Sequence, residues 1–202
     1  MDQLITSSLD ALMMQHCIAL SRTARHYGEL PFACVICDEG GNVVAESLNR
    51  VRRDRDVTKH AEILAMAEAQ RKFATTDLSD CTLYSTVEPC PMCSFPIRET
   101  GIRKVVYALR SPLMGGYSKF GVLKSDEISR AMPEAFGEPP QVLGGVLAEE
   151  AETVWTNWSP IVWRVIKRRG VFEGDAVASY SRATRPPRTR FNWRKLVSLI
   201  WA

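Results

Sequence analysis

At 202 residues, 46% hydrophobic and 24% charged, the chain has an ordinary globular composition and the length of one domain with room for an appendage. No apolar run approaches the roughly 18 residues of a membrane span, so no membrane partner is expected. The net charge of +3 conceals an asymmetry: 10 basic and 2 acidic residues lie from Arg164 onward, against 16 basic and 21 acidic before it. A body this acidic lacks the character of a dedicated nucleic-acid binder.

The N-terminus, Met1-Asp2-Gln3-Leu4-Ile5, has no basic stretch ahead of an apolar core, so the expected location is cytoplasmic. Cysteines 17, 34, 37, 81, 90 and 93 are then expected as free thiols or metal ligands rather than disulfides. Leu9, Leu12, Met13, Cys17 and Leu20, with Ala24, recur at helical spacing and predict a helix over about 6–26 with that stripe buried. His16 and His26 on this helix are expected to pack or cap. Pro31–Asp38 and Val43–Leu48 read as strands joined by the turn residues Gly40-Gly41-Asn42, a hairpin. Cys34 and Cys37 lie three apart on the first strand and point to opposite faces, so they are expected as buried structural thiols.

Arg50–Lys59 reads as a charged loop, and a helix of good helix formers follows to about Phe73. Cys81–Val87 is a third strand. Pro89 then turns the chain, and Pro91 suits the first position of a helix, which Pro96 should kink or shorten. Arg103–Leu109 and Gln141–Leu147 are strands four and five, separated by a long Gly- and Pro-rich stretch, 111–140, expected to be loop plus one short helix. Glu149–Arg168 reads as one last helix carrying Trp155, Trp158 and Trp163. Strands alternating with helices, after an opening hairpin, predict an α/β protein with a mixed sheet. The expected division is a domain over 1–169 and a basic extension over 170–202. That extension starts as a linker, and its last twelve residues suit a short amphipathic helix.

Two short stretches carry the chemistry, His60-Ala61-Glu62 and Pro89-Cys90-Pro91-Met92-Cys93. His60, Cys90 and Cys93 supply three ligands of the type that hold Zn²⁺ and leave one tetrahedral corner open, the arrangement of catalytic rather than structural zinc. Both stretches are expected at helix N-termini, where the helix dipole favours the thiolate. Glu62, two residues from the histidine, is placed to move protons at the open corner without being a ligand. The bland alternative has His60 capping a helix, Glu62 solvated, and Cys90 and Cys93 as redox thiols. A rival of another class is a non-catalytic module with structural zinc, which requires a fourth protein ligand.

The combined pattern His-x-Glu…Pro-Cys-x-x-Cys is the established signature of the zinc deaminases. On these residues the chain resembles the cytidine and deoxycytidylate deaminase superfamily, near bacterial guanine deaminase, yeast-type cytosine deaminase and tRNA adenosine deaminase. The likeness runs from about Leu30 to Val106, through Pro31-Phe32-Ala33-Cys34-Val35-Ile36 and Thr82-Leu83-Tyr84-Ser85-Thr86-Val87-Glu88-Pro89-Cys90. Lys59, the 108–112 segment and Gly116-Tyr117-Ser118-Lys119 depart from the patterns of the adenosine and guanine branches.

The resemblance implies a three-layer α/β/α sandwich around a five-stranded mixed sheet, a Zn²⁺ cofactor and usually a homodimer. It implies substrate contacts from Asn49, from the backbone N–H of Ala61 and from the carbonyl of Glu88. Asn49 is otherwise a turn residue, and Phe32 is equally core or pocket wall. The acidic body favours a free nucleobase, nucleoside or related aminated heterocycle as substrate. RNA held by the basic tail is the second choice, since single-stranded nucleic acid normally needs a positive groove with stacking aromatics.

Overall fold

The computed structural model describes residues 7–174. Five strands form one sheet: β1 (Ala33–Cys37), β2 (Val43–Leu48), β3 (Thr82–Val87), β4 (Lys104–Leu109) and β5 (Gln141–Gly144), in the order β2-β1-β3-β4-β5. β1 runs antiparallel to both β2 and β3, while β3, β4 and β5 are parallel. Four strands therefore share one direction and β1 alone opposes them, the mixed sheet expected of an opening hairpin followed by crossovers.

Side-chain alternation builds two cores. Ala33, Val35, Cys37, Tyr84, Val106 and Ala108 face one side, where they meet α1 (Ser8–Arg22), α6 (Ala148–Trp158) and α7 (Pro160–Arg168). Cys34, Ile36, Leu83 and Val105 face the other and meet α3 (Ala61–Phe73) and α4 (Pro91–Glu99). Helices on both faces make this an α/β sandwich. Cys34 and Cys37 lie in opposite cores, buried and free, as their spacing predicts. Among the described residues, no helix is long and apolar enough to cross a membrane.

α1 starts where Ser7 and Asp10 close a capping box: Asp10 N–H donates to Ser7 Oγ at 3.1 Å, and Ser7 N–H donates to Asp10 Oδ2 at 3.0 Å. The helix gives way at Arg22 to a 3₁₀ turn over Thr23–Tyr27. Its buried face is Met13, Met14, Cys17 and Ile18, whereas Leu12 is exposed, so the stripe is rotated from the predicted one. His16 reaches Glu46 on the surface, and His26 is exposed.

Several boundaries differ from expectation. The 50–59 loop contains one helical turn, α2 (Val51–Asp54). α4 runs through Pro96, the sixth of its nine residues, and ends three residues later at Glu99. β5 stops at Gly144, since Gly145 and then Leu147, both at positive φ, turn the chain into α6. The expected single last helix is two, broken at Ser159-Pro160, where Ser159 caps α7 and Pro160 opens it. The stretch 111–140 contains one short helix, α5 (Asp126–Ala131), as expected. The body continues past 169: Val171 is buried, Phe172 packs on the core, and Glu173 pairs its backbone with Arg110. The amphipathic helix expected over the last twelve residues lies outside the described residues.

Candidate metal centre and pocket

One edge of the sheet collects every segment of interest. Because β2, β3 and β4 run the same way, their C-terminal ends deliver Asn49, Glu88–Cys90 and Ser111 to this edge, and the N-terminal end of antiparallel β1 brings Phe32 there. α3 and α4 both begin at it. His60 is the N-cap of α3 and Cys90 the N-cap of α4, each with extended backbone and without a side-chain cap bond. Their side chains are thus free to converge on one another.

They do converge. His60 Nδ1 lies 3.6 Å from Cys90 Sγ and 3.4 Å from Cys93 Sγ, and the two sulfurs are 3.6 Å apart. That separation is far beyond a disulfide bond of about 2.05 Å. It matches a metal. Bonds of about 2.3 Å to sulfur and 2.0–2.1 Å to nitrogen, at tetrahedral angles, place ligand atoms about 3.6–3.8 Å apart. Among the described residues no fourth His, Cys, Asp or Glu donor joins these three. The geometry fits zinc with one corner open.

The Cys90 thiol is pulled down to about 4 by its hydrogen bonds with Cys93 and His60, while the same bond to Cys90 and burial push the Cys93 thiol up, so the two sulfurs share one proton. Glu62 is buried, 8% exposed, and burial pushes its carboxyl above the ordinary range. Its Oε2 lies 3.5 Å from Cys93 Sγ, and its Oε1 accepts from Ser85 Oγ at 3.1 Å. The carboxylate therefore stands beside the metal ligands and outside their set.

A cavity of about 170 Å³ opens onto this cluster, lined among others by Phe32, Asn49, His60, Glu62, Glu88 and Cys90. Leu30, Val51, Val87, Met114 and Phe172 supply apolar walls. Asn49 is buried and donates from Nδ2 to Glu29 Oε2 at 2.9 Å; the other Glu29 oxygen accepts from Arg53 N–H at 2.8 Å. Phe32 is both wall and core, edge-on to Trp155 and Phe172 at 5.2 and 5.9 Å between ring centroids. Ala61 is buried at the first position of α3, its methyl in the core and its N–H at the helix start, where no intrahelical acceptor exists.

The Glu88 side chain plays a part that the sequence reading, concerned with its carbonyl, missed. Its carboxylate is buried, and it accepts from the backbone N–H groups of Ser111, Tyr117 and Ser118 at 2.8, 3.0 and 2.6 Å and from Ser118 Oγ at 2.8 Å. Ser85 and Glu29 were also missed. Ser85 sits in an alternation of small polar residues along β3 that gives no hint which one meets Glu62. Nothing around Glu29 distinguishes it from a surface acid. Phe172 falls in the segment expected to be a linker.

Fold and site together define an α/β protein with three side chains placed to hold a metal, a carboxylate beside them and a pocket in front. The chain belongs to the cytidine and deoxycytidylate deaminase family, whose zinc-binding region matches residues 7–109. It is 37% identical over 147 residues to a probable cytosine deaminase of Schizosaccharomyces pombe, covering 72% of this chain and 89% of that protein. It is 34% identical over 141 residues to a tRNA(Ile)-lysidine synthase of Deinococcus deserti, covering 70% of this chain but only 25% of that longer protein.

Among solved structures, one from studies of A-to-I editing by tRNA:A34 deaminases at the wobble position of transfer RNA superposes with a TM-score of 0.61 at 30% identity, covering 70% of this chain and 96% of that one. Guanine deaminase from Nitrosomonas europaea superposes with a TM-score of 0.59 at 25% identity, covering 77% and 86%.

Proposed function

We propose that this chain is a zinc-dependent hydrolytic deaminase of a free nucleobase, nucleoside or related aminated heterocycle, releasing ammonia. The observation that carries the reading is the cavity. At about 170 Å³ it holds the liquid volume of roughly six waters, and drug-sized ligands usually occupy 300 Å³ or more. One small heterocycle fits its walls better than a nucleotide does.

Zinc held by His60, Cys90 and Cys93 would supply the Lewis acid that makes water a nucleophile at neutral pH. Glu62 does the proton work. Its Oε2 takes a proton from the attacking water and passes it to the ring nitrogen next to the carbon bearing the amine. It then takes the second proton from the added hydroxyl and gives it to the departing amine, so ammonia leaves and a carbonyl remains. Ser85 holds the opposite oxygen, Oε1, and so keeps Oε2 turned toward the reacting atoms. Asn49 and the N–H of Ala61 orient the ring, with the Glu88 carbonyl at the pocket edge. Phe32, Leu30 and Phe172 exclude water.

All six cysteines are free, which supports a cytoplasmic setting. Exposed Met92 and Phe95 on α4 support a homodimer. The second reading is adenosine deamination in tRNA, favoured by the likeness to the wobble-position deaminase structure.

Ammonia release by zinc-loaded protein across free bases, nucleosides, triazines and an anticodon stem-loop tests the assignment. Turnover of at least one small heterocycle is expected. Turnover of the stem-loop alone would replace the first reading with the second.

A further inference from the structure

Among the described residues, no cation pairs with the buried Glu88 carboxylate. Its partners are four donors, all from one surface loop: the N–H groups of Ser111, Tyr117 and Ser118 and the Ser118 hydroxyl, whose single proton is shared with the Ser111 carbonyl at 3.0 Å. Every lone pair that a carboxylate directs at close neighbours is used on this one segment. The loop is shaped to receive it. A Cβ on Gly115 would stand 2.0 Å from Glu88 Oε1, and one on Gly116 would stand 1.9 Å from Ser94 Oγ, so a side chain at either position would displace Glu88 or Ser94. Gly116 N–H also donates to the Pro89 carbonyl at 2.8 Å. The loop is thus seated on the same backbone, Glu88-Pro89, that leads into Cys90. Ser111 and Met114 at its near end line the cavity.

We infer that Glu88 is a positioning residue that fixes substrate size: its carboxylate clasps the 111–118 loop against the metal-bearing turn and so sets the far wall of the pocket. The inference rests on the deaminase reading above. The distinction from a bulk stabilising role lies in what the loop touches. The clasp closes a wall in front of the zinc ligands and leaves His60, Cys90, Cys93 and Glu62 in place. Loosening it should widen the pocket while sparing the metal and the chemical step.

Two variants test this, each zinc-loaded. Glu88→Gln keeps the shape but points an amide NH₂ at N–H donors. Ser118→Ala removes one donor and is mild enough to leave the fold intact. The measurements are zinc content, kcat and KM for the best free base and for its nucleoside, and amide hydrogen exchange over 111–118.

For Glu88→Gln, one zinc per chain, a KM for the base raised about tenfold or more with kcat changed far less, and a reduced preference for base over nucleoside are expected. Faster exchange at Ser111, Tyr117 and Ser118 should accompany them. Ser118→Ala should move each quantity in the same direction by about two- to fivefold. Wild-type KM, wild-type selectivity and wild-type exchange in these variants would overturn the inference, as would a fall in kcat with KM unchanged. Should Glu88→Gln fail to hold zinc, Ser118→Ala decides by the same measurements. If the wild type turns over no base or nucleoside, the deaminase reading fails, while exchange in the two variants still decides whether the clasp exists.

Discussion

Replacing Glu62 by Gln separates catalysis from metal binding at this site. The substitution conserves volume at a position only 8% exposed, and an amide carbonyl can still accept from Ser85 Oγ, now 3.1 Å from Oε1. His60, Cys90 and Cys93 are untouched, and none needs Glu62 to reach its place, since their positions come from the starts of α3 and α4. What disappears is the capacity to take up and give back a proton. A positioned acid–base group contributes about 10²–10⁴ per transfer, and the same carboxylate serves the water, the ring nitrogen and the amine. A loss in kcat of about 10³-fold or more is expected, equivalent to about 4 kcal/mol on the barrier. Stability should hold or rise slightly, because a buried amide is less unfavourable than a buried carboxylate. The assay pairs steady-state ammonia release with zinc content and thermal melting. A zinc-loaded Glu62→Gln protein turning over within tenfold of the wild type would refute the proton-shuttle role.

Two further outcomes are expected. X-ray absorption at the zinc edge should show two sulfurs at about 2.3 Å and two lighter atoms at about 2.0–2.1 Å. One light atom would be His60 nitrogen and the other solvent, so a second protein nitrogen or a third sulfur would favour the structural-zinc module instead. The second outcome concerns Asp10, which accepts from Lys104 Nζ at 2.7 Å and from Tyr84 Oη at 3.0 Å. Burial raises its carboxyl, but the Lys104 ammonium and the Ser7 bonds outweigh that and hold it below the ordinary 3.8. A depressed folded value stabilises above the unfolded value and is lost as pH falls through the folded one. Asp10→Asn should therefore lose about 3 kcal/mol at pH 7, or roughly 6–12 °C in Tm, and the gap to wild type should shrink below about pH 4. A gap unchanged from pH 7 to pH 3 would show that the charge is irrelevant.

Much of the fold was legible because it rests on local signals. The 40–42 turn, the alternation in β3 and Pro91 at a helix start each act over a few residues, and those elements formed where expected. The candidate metal ligands were legible for a related reason: His60, Cys90 and Cys93 are chemically distinctive, and the structure brings them together. The errors have another origin. Leu12 fits the apolar period of α1 as well as Met14 does, and only the sheet beneath decides which face is covered. Ser159-Pro160 carried a helix break that the tryptophan periodicity masked. Glu29, Ser85 and Glu88 act through partners far away in sequence, 20 to 30 residues from Asn49, Glu62 and the 117–118 amides, and no local pattern announces such pairs.

The reason those distant partners meet lies in the direction of the strands. Four strands point the same way, so each delivers the residue that follows it to one edge: Asn49 after β2, Glu88 after β3, Ser111 after β4. The single opposing strand begins at that edge, so Phe32, just before β1, arrives there as well. The metal turn and the pocket loop are consecutive products of adjacent parallel strands, since Val87 pairs with Leu109. That pairing brings Glu88 within reach of Ser111 before any side chain is considered. The loop is joined to the start of α4 through the Glu88 carboxylate and the Gly116 N–H, which donates to the Pro89 carbonyl, while His60, Cys90 and Cys93 take their places from the starts of α3 and α4.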